Sequence, residues 1–516
     1  MALYLNTNML YENYQELCNE PYFVDKSAMI EKLNARIRTT SKYVCVTRPR
    51  RFGKSKVVDM LGAYYSKAVE ASNLFDKLQI ADSASYKQHM NQYNVIYISF
   101  NRIPDGDFTY NDYIGLIRET LVDDLKMKYP NLEFKNHYSL RDMLHATQDK
   151  FIFLFDEWDY IFNKQLFEEH QNDFLEFLRN LLKDQSYVAL AYMTGVLPIK
   201  RYSSGSALNM FDEFTFLKDR QFSEYFGFTE EVVSLYKKNE KINFNELQDW
   251  YNGYLTADGI KVYNPRSVIK ALQNNHCESY WTNTGAMEEV TQYLKYNTLE
   301  VRDDVIEMVS GAEIDVYIDE EFRAGQAIPK TREEIYSAMI VLGFLSYHDG
   351  YLKIPNKELM KEFEKALKDK SFGYVNEIIH NSRKMLKATI QKDTQTIEEI
   401  LHEIHNSEIP ILQYNDENSL SCVVTLAYLA ARDYYRVERE EKTGKGYADF
   451  TFYPMRKKDT AFIVELKKDE TPEVALSQIK EKEYAQKMLK EYGNILAVAI
   501  CYDSKEKVHH CKIEEL

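Results

Sequence analysis

Two parts of the sequence combine residue types that handle phosphate and metal ions. The first is the run Arg48-Pro49-Arg50-Arg51-Phe52-Gly53-Lys54-Ser55. At a helix N-terminus, backbone N–H groups point at an anion, a lysine adds charge at the β- and γ-phosphates, and a hydroxyl completes Mg²⁺ coordination. Gly53, Lys54 and Ser55 fit these roles, and Arg51 is a further candidate for phosphate binding. We therefore predict a phosphate-binding loop, with Arg48 where the strict pattern has its first glycine.

The second part ends in acidic residues. Residues 151–155 are apolar at every position, as in a strand buried on both faces of a parallel sheet, and Asp156 and Glu157 follow. Ligands bind at the carboxyl ends of such strands, so we expect Asp156 to hold Mg²⁺ and Glu157 to polarise the attacking water. A lone Gly-Lys-Ser also begins ordinary capped helices, and an acidic turn is often plain surface. The two signals in this order favour a nucleotide site.

The elements that must position these residues also show in the pattern. Residues 43–47, 95–100 and 187–193 suit strands, and residues 57–65 suit a helix. The last of these strands ends in Thr194-Gly195, where we expect Thr194 to sense the γ-phosphate. The N-terminal part is thus predicted to be an α/β, P-loop parallel-sheet ATPase domain over residues 1–214.

A second set of charged residues lies near the C-terminus. Glu465 and Lys467 are two apart in a predicted strand and share a face, and a hairpin can bring Asp449 beside them. Converging carboxylates repel unless a divalent cation neutralises them, and that cation can activate water for phosphodiester cleavage. Lys467 would orient this water or offset its charge, and Glu440 on the preceding strand could complete the metal ligands.

The alternative is an exposed hairpin with a cross-strand salt bridge, since Glu-x-Lys is common on strands. The predicted order of helix, three strands, helix and strand favours a metal-dependent nuclease fold. Acidic and basic residues balance from Arg432 to Leu516, whereas the whole chain has a net charge of -15. This balance modestly supports phosphodiester binding by the C-terminal part.

Composition bounds the remaining classes. The 516 residues predict about three domains. The six cysteines form no Cys-x-x-Cys pair, which suits a reducing, cytoplasmic setting. No apolar run reaches the roughly 20 residues of a membrane helix, so no membrane partner is expected. His509-His510-Cys511 is interpreted as a surface tail.

The residues resemble the bacterial AAA-ATPase-like proteins that carry a C-terminal PD-(D/E)XK nuclease domain. The resemblance covers nearly the whole chain, and in this family too the phosphate loop lacks its first glycine. Its further markers are Tyr22-Phe23-Val24-Asp25-Lys26, Asp156-Glu157, Thr194-Gly195-Val196, Trp250-Tyr251-Asn252-Gly253-Tyr254, Tyr263-Asn264-Pro265-Arg266-Ser267, Tyr280-Trp281-Thr282-Asn283-Thr284-Gly285, Gly343-Phe344-Leu345, Ile354-Pro355-Asn356-Lys357-Glu358, and the nuclease residues Glu440, Asp449, Glu465, Lys467 and Gln478.

The resemblance implies a helical lid and connector over residues 215–370 and a restriction-endonuclease-like α/β domain over residues 371–516. It implies ATP and Mg²⁺ as cofactors, with Mn²⁺ as an alternative ion in the nuclease site. Tyr447 stands where similar proteins often have an arginine, and the loss of that positive charge affects how tightly the substrate would bind.

The leading hypothesis is an ATPase whose nucleotide state regulates a nuclease. The nuclease would act on nucleic acid, with DNA as the first candidate substrate and RNA as the second. The alternative is an ATP-driven switch or scaffold whose nuclease-like lobe only binds nucleic acid or a protein. Assembly of the chain with itself is compatible with both hypotheses.

Overall fold

The computed structural model describes residues 2–135, 137–199, 207–239, 241–281, 301–309, 311–318, 322–323, 329, 331–367, 374–405, 417–439, 450–456, 459–481 and 483–516. The chain folds into two compact units. Unit 1 comprises Met1–Trp281, Val316–Gly350 and Pro355–Glu358, and unit 2 comprises Thr282–Asp315, Tyr351–Ile354 and Leu359–Leu516. The predicted domain boundaries at residues 214 and 370 stay a prediction.

The strands are β1 (Tyr43–Thr47), β2 (Asn94–Ser99), β3 (Phe151–Asp156), β4 (Val188–Gly195), β5 (Asp212–Phe214), β6 (Tyr254–Leu255), β7 (Lys261–Val262), β8 (Ile314–Asp315), β9 (Ser346–His348), β10 (Tyr351–Lys353), β11 (Tyr435–Arg439), β12 (Phe450–Pro454), β13 (Ala461–Lys468), β14 (Ile495–Asp503) and β15 (Val508–Glu515).

The α-helices are α1 (Met9–Cys18), α2 (Met29–Asn34), α3 (Lys54–Tyr65), α4 (Ser72–Phe75), α5 (Tyr86–His89), α6 (Tyr110–Lys128), α7 (Leu140–Ala146), α8 (Tyr160–Asn163), α9 (Gln171–Leu182), α10 (Glu231–Tyr236), α11 (Phe244–Tyr251), α12 (Pro265–Asn274), α13 (Val301–Val309), α14 (Arg332–Leu342), α15 (Lys357–Leu367), α16 (Tyr374–Gln391), α17 (Thr394–His405), α18 (Glu417–Ala427), α19 (Pro472–Glu481) and α20 (Glu483–Tyr492). No helix in the described part of the chain combines the length and apolarity needed to cross a bilayer.

Unit 1 is built on a parallel sheet. Among the described residues the strand order is β2-β3-β4-β1-β5, and each neighbouring pair runs parallel. β3 and β4 are buried at every position, as in a parallel sheet whose two faces are covered. The predicted parallel-sheet ATPase fold is confirmed. Because β4 lies between β1 and β3, the phosphate loop and the acidic pair follow strands on either side of Thr194.

Unit 2 contains a mixed sheet. Its described strands have the order β11-β12-β13-β14-β15, in which β13 and β14 are parallel and the other pairs are antiparallel. One face of β13 and β14 packs against α19 through Ile463, Ala475 and Ile479. The predicted C-terminal α/β nuclease-type fold and the helical middle region are confirmed.

The last strand corrects one prediction. His509-His510-Cys511 does not form a surface tail, because it lies in β15, which pairs antiparallel with β14. Strand alternation places His509 inside, at 4% exposure, and His510 outside. This strand is difficult to predict from the sequence because its apolar residues are interrupted by histidines, lysine and glutamates.

His509 is buried beside two other rings. Its ring centroid lies 5.2 Å from that of His405 on α17 and 4.9 Å from that of Tyr502 on β14. Neither ring nitrogen of His509 has a hydrogen-bond partner among the residues that the structure describes. Burial, followed by the charges of His405, His402 and His510, lowers the pKa of His509 from 6.5 to about 3. In the folded chain His509 therefore stays neutral at mildly acidic pH.

We expect His509→Leu to make unit 2 less sensitive to acid. The unfolded chain binds a proton at this histidine below about pH 6.5, whereas the folded chain does so only near pH 3, so stability falls as the pH falls through that window. The wild type should lose roughly 2 kcal/mol of this contribution between pH 7 and pH 5, at about 1.4 kcal/mol per pKa unit. Chemical denaturation at both pH values should show that His509→Leu escapes this loss while the exposed His510→Leu does not. Equal acid sensitivity of all three proteins would contradict the assignment.

Candidate nucleotide site and candidate nuclease site

The loop between β1 and α3, predicted to bind phosphate, ends at a glycine in a left-handed conformation. Gly53, the residue before α3, has a φ of +92°, a conformation that favours glycine. Apart from Gly53 and its chain neighbours, no atom of the described residues lies within 4 Å of the position that a Cβ would take there. Gly53 directly precedes a 12-residue helix, at whose N-terminus backbone N–H groups and the helix dipole attract anions.

Lys54 begins α3 and is buried, with 8% of its surface exposed. Its Nζ donates to the carbonyl oxygens of Arg48 at 3.0 Å and Pro49 at 2.9 Å. Burial lowers the pKa of Lys54 to about 8, and the carboxylates of Asp159, Asp156 and Glu157 oppose that shift. Two carbonyl oxygens of the loop therefore hold the ammonium, and three carboxylates favour its charged form.

Ser55 and Asp156 meet across the site. The exposed Ser55 side chain lies near enough to the carboxylate of Asp156, the last residue of β3, to act on its pKa. Burial raises the pKa of Asp156 to about 6, the nearby Ser55 side chain opposes this, and the charge of Glu157 adds to it. Hydroxyl and carboxylate oxygens are the hard donors that Mg²⁺ prefers, so this pair fits a magnesium ion. Glu157 follows at once, half-buried, with a φ of +49°.

Asp159 is a site residue that the sequence analysis did not assign. It is 1% exposed, and its Oδ2 accepts hydrogen bonds from the backbone N–H groups of Val196 at 2.9 Å and Leu197 at 2.7 Å. A Cβ at Gly195 would lie 2.3 Å from its Oδ1, so glycine is required there. Asp159 thus joins the ends of β3 and β4. The available signal was a third acid three residues after Asp156.

Thr194 lies fully buried in β4, and its hydroxyl donates to the carbonyl oxygen of Val46 in β1 at 2.8 Å. In this structure the hydroxyl links two strands. Its predicted role as a γ-phosphate sensor stays a prediction, and it would require the hydroxyl to leave Val46.

Arg48 stands where the strict loop pattern has a glycine, and it has a structural role. Its guanidinium forms an ion pair with Asp219, in which neither side chain is more than 1% exposed. It also donates to the carbonyl oxygens of Thr47 at 2.7 Å and Phe214 at 2.9 Å. Arg48 therefore braces the base of the loop against the segment after β5.

Glu358 joins sequence motifs to which no chemistry had been assigned. It is 1% exposed, and its carboxylate accepts from the Ser267 hydroxyl at 2.9 Å and from the N–H groups of Tyr280 at 2.7 Å and Trp281 at 2.9 Å. Burial raises its pKa to about 7 against these hydrogen bonds and the charge of Arg51. Arg51 of the phosphate loop donates to the carbonyl oxygen of Tyr280. The motifs were visible in the sequence, but their meeting around one carboxylate was not.

An apolar cavity of about 630 Å³, including its open mouth, adjoins the phosphate loop within unit 1. Gly53 and Val57 form the wall next to the loop. Its other walls include Tyr22, Phe23, Val24, Phe228, Pro265 and Ile269. Tyr22, Phe23 and Val24 belong to one of the motifs that the sequence analysis singled out.

In unit 2 the structure brings Glu465 and Lys467 together. Both lie on β13, and Lys467 Nζ is 3.1 Å from Glu465 Oε1. Glu465 is fully buried and Lys467 is 5% exposed. Gln478 lies half-buried on α19, which packs on β13 and β14. Their predicted roles stay predictions.

The other predicted nuclease residues, Glu440 and Asp449, lie outside the described residues, as does Tyr447. No group of three or more His, Cys, Asp or Glu side chains able to hold a metal occurs within the ranges that the structure describes. Because two of the three predicted carboxylate ligands fall outside those ranges, this finding does not bear on the predicted set.

Restoring the loop pattern by Arg48→Gly should destabilise unit 1 rather than improve it. The substitution leaves the buried Asp219 carboxylate without its cation, with the N–H groups of Gln221 and Phe222 still donating to it, which costs about 3–5 kcal/mol. Denaturation curves measure the effect, with the half-buried neighbour Arg50→Gly as control, expected within about 1 kcal/mol of the wild type. The double variant Arg48→Met with Asp219→Asn should recover most of the loss, because it removes the buried charge and keeps an oxygen that accepts from the N–H groups of Gln221 and Phe222. A wild-type denaturation curve for Arg48→Gly would contradict the structural role.

Two parts of the chain match models of known protein families. Residues 10–203 match the family model described as predicted AAA-ATPase, and residues 415–512 match that of the PD-(D/E)XK nuclease superfamily. No curated protein matches the chain. Among solved structures, the Walker-type ATPase PABY2304 of Pyrococcus abyssi is 14% identical over 66% of this chain and 94% of that chain. Its TM-score of 0.33 is too low to equate the two folds.

These family matches confirm the resemblance seen in the sequence. The first covers the phosphate loop, Asp156 and Thr194, and the second covers Glu465, Lys467 and Gln478. The chain therefore carries an AAA-ATPase-like domain and, C-terminal to it, a PD-(D/E)XK nuclease-superfamily domain.

Proposed function

We propose that unit 1 binds and hydrolyses ATP with Mg²⁺, and that its nucleotide state regulates phosphodiester cleavage of nucleic acid by unit 2. The carrying observation is the buried Lys54 ammonium, held by two loop carbonyls beside the Ser55–Asp156 pair. A buried cation whose hydrogen bonds go to carbonyl oxygens, as those of Lys54 do within the described residues, is well placed to exchange them for phosphate oxygens, which carry charge.

The residues divide the work in a way that their chemistry supports. Lys54 neutralises charge on the β- and γ-phosphates, while Ser55 and Asp156 hold Mg²⁺. The ion supplies charge stabilisation on the phosphate oxygens when it is bound. Glu157 orients the attacking water. Asp159 positions the segment after β4 through two backbone hydrogen bonds.

The apolar cavity beside Gly53 is suited to the base of the nucleotide. It continues from the loop that would hold the phosphates, and aromatic residues such as Phe23 and Phe228 line it. A flat purine ring gains from burial against aromatic and aliphatic walls. We therefore place the phosphates at Gly53–Ser55 and the base in this cavity.

Lys54→Ala should weaken binding of ATP by at least about tenfold, because it removes a charge-assisted hydrogen bond to phosphate. Titration calorimetry with a non-hydrolysable ATP analogue and Mg²⁺ measures the affinity. Lys87→Ala, which removes an equal charge from an exposed surface pair with Asp76, serves as the control and should bind as the wild type does. Unchanged affinity in Lys54→Ala would remove the nucleotide site from this loop.

The nuclease proposal is carried by the Glu465–Lys467 contact on one face of β13. Phe450 pairs with Val464, and Asp449 is the residue before Phe450 as Glu465 is the residue after Val464. We infer that Asp449 and Glu465 hold the divalent ion, Mg²⁺ or Mn²⁺, with Glu440 as a further ligand. Lys467 offsets charge on the phosphate or orients the water, and Gln478 supports the site. We propose DNA as the first candidate substrate and RNA as the second.

One observation favours the alternative, an ATP-driven switch whose nuclease-like lobe only binds its partner. Glu465 has no exposed surface, and Lys467 has 5%. A buried ion pair can serve the fold rather than catalysis. Cleavage assays separate the two functions directly.

Glu465→Gln should abolish cleavage of DNA or RNA in Mg²⁺ or Mn²⁺ while leaving ATP affinity unchanged. The amide keeps the shape of the side chain but loses the charge that a metal ion needs. Glu491→Gln, on the exposed face of α20, is the matched control and should cleave as the wild type does. If the wild type cleaves no nucleic acid with either ion and ATP, the switch function is the correct one. If Glu465→Gln still cleaves, the site has been misplaced.

A further inference from the structure

We propose that Arg51, the Tyr280–Trp281 peptide group and Glu358 form a relay through which phosphate bound at the loop loosens the chain where it leaves unit 1. The inference rests on the proposed nucleotide site and adds a means of regulation to it. Arg51 contacts the phosphate in this proposal, and Glu358 is a positioning residue that acts through the Tyr280–Trp281 peptide.

One peptide group lies between two opposite charges. Its carbonyl, from Tyr280, accepts a hydrogen bond from the Arg51 guanidinium. Its N–H, from Trp281, donates to Glu358 Oε1 at 2.9 Å, and the N–H of Tyr280 donates to the same oxygen at 2.7 Å. A cation on the oxygen and an anion on the nitrogen polarise the peptide in the same sense, so each bond strengthens the other.

The relay lies where the chain changes units. Trp281 is the last residue of the first stretch of unit 1, and Glu358 is the last residue of its third stretch. After each of them the chain continues into unit 2. The Glu358 carboxylate therefore ties together two of the points at which the chain leaves the ATPase-like unit.

The backbone conformation of Arg51 and the charges around it favour its release from the Tyr280 carbonyl when phosphate binds. Arg51 belongs to the loop between β1 and α3, and its φ of +70° lies in the left-handed region, which residues other than glycine seldom adopt. Two more guanidinium groups, of Arg266 and Arg50, repel it, and Glu358 attracts it. A site with this excess of positive charge attracts an anion.

Phosphate competes for Arg51 because its oxygens carry charge, whereas the Tyr280 carbonyl is neutral. A guanidinium bound to phosphate gains the attraction between two full charges and can form two parallel hydrogen bonds, neither of which a single neutral carbonyl offers. When phosphate takes Arg51, the Tyr280–Trp281 peptide loses the donor on its oxygen, and its bond to Glu358 weakens. Linkage requires the reverse as well, so weakening the Glu358 bonds must change nucleotide affinity.

Hydrogen exchange of the full chain tests the relay at the amides of Tyr280 and Trp281, read from a peptide spanning Glu278–Trp281. In the wild type, a non-hydrolysable ATP analogue with Mg²⁺ should speed exchange there about tenfold. This is the effect expected when the segment loses the hydrogen bond between the charged Arg51 guanidinium and the Tyr280 carbonyl and so opens more readily. Arg51→Ala should show this faster exchange without nucleotide, and the analogue should add little. Glu358→Gln should also exchange faster without nucleotide.

Arg179→Ala is the control, since it removes a guanidinium on α9 that pairs with Glu176 and is not among the groups that act on Arg51. It should leave exchange of the nucleotide-free peptide as in the wild type. Arg51→Ala protein that exchanges slowly without nucleotide overturns the relay, whatever the nucleotide does. Calorimetry on the same samples distinguishes the two proposals. Binding of the analogue without faster exchange overturns the relay alone, whereas absence of binding overturns the nucleotide site and the relay with it.

Discussion

A charged group taken out of water must find partners, and this constraint shapes every part of the candidate nucleotide site. Lys54 is held by two carbonyls of its own loop and lies within reach of the charges of three carboxylates. Asp159 is satisfied by the backbone after β4, and Glu358 by three donors from two other segments. The loop carbonyls that accept from Lys54 and the Tyr280 carbonyl that accepts from Arg51 are neutral, so charged phosphate oxygens can compete with them. The loop is thus suited to an anion.

The buried Arg48–Asp219 pair follows the same constraint with the opposite result. Both charges are satisfied within the protein, and Arg48 also donates to two carbonyls, so nothing in this pair is left for a ligand. The loop can lack a glycine at this position because its base is fixed by an ion pair. Arginines three residues apart in sequence, Arg48 and Arg51, therefore have different roles.

Local patterns were enough to predict the parallel sheet, the strand–loop–helix order around Lys54 and the acidic end of β3, because each depends on neighbours in sequence. Lys54, Ser55 and Asp156 follow from such patterns. Asp159 and Glu358 do not, since their meaning depends on backbone groups 37 and 78 residues away. β15 was missed for a related reason, because its apolar positions are few and only pairing with β14 makes them a strand. Glu465 and Lys467 were predicted to share a face by strand alternation alone, and they do.

The central claim is that the loop of unit 1 exchanges its own carbonyls for nucleotide phosphates. A crystal structure of the chain with Mg²⁺ and a non-hydrolysable ATP analogue measures this most directly. The account predicts that Lys54 Nζ leaves the carbonyl oxygens of Arg48 and Pro49 and lies within hydrogen-bond distance of a phosphate oxygen, with the ion beside Ser55 and Asp156. A nucleotide bound elsewhere, with Lys54 still on its two carbonyls, would contradict it.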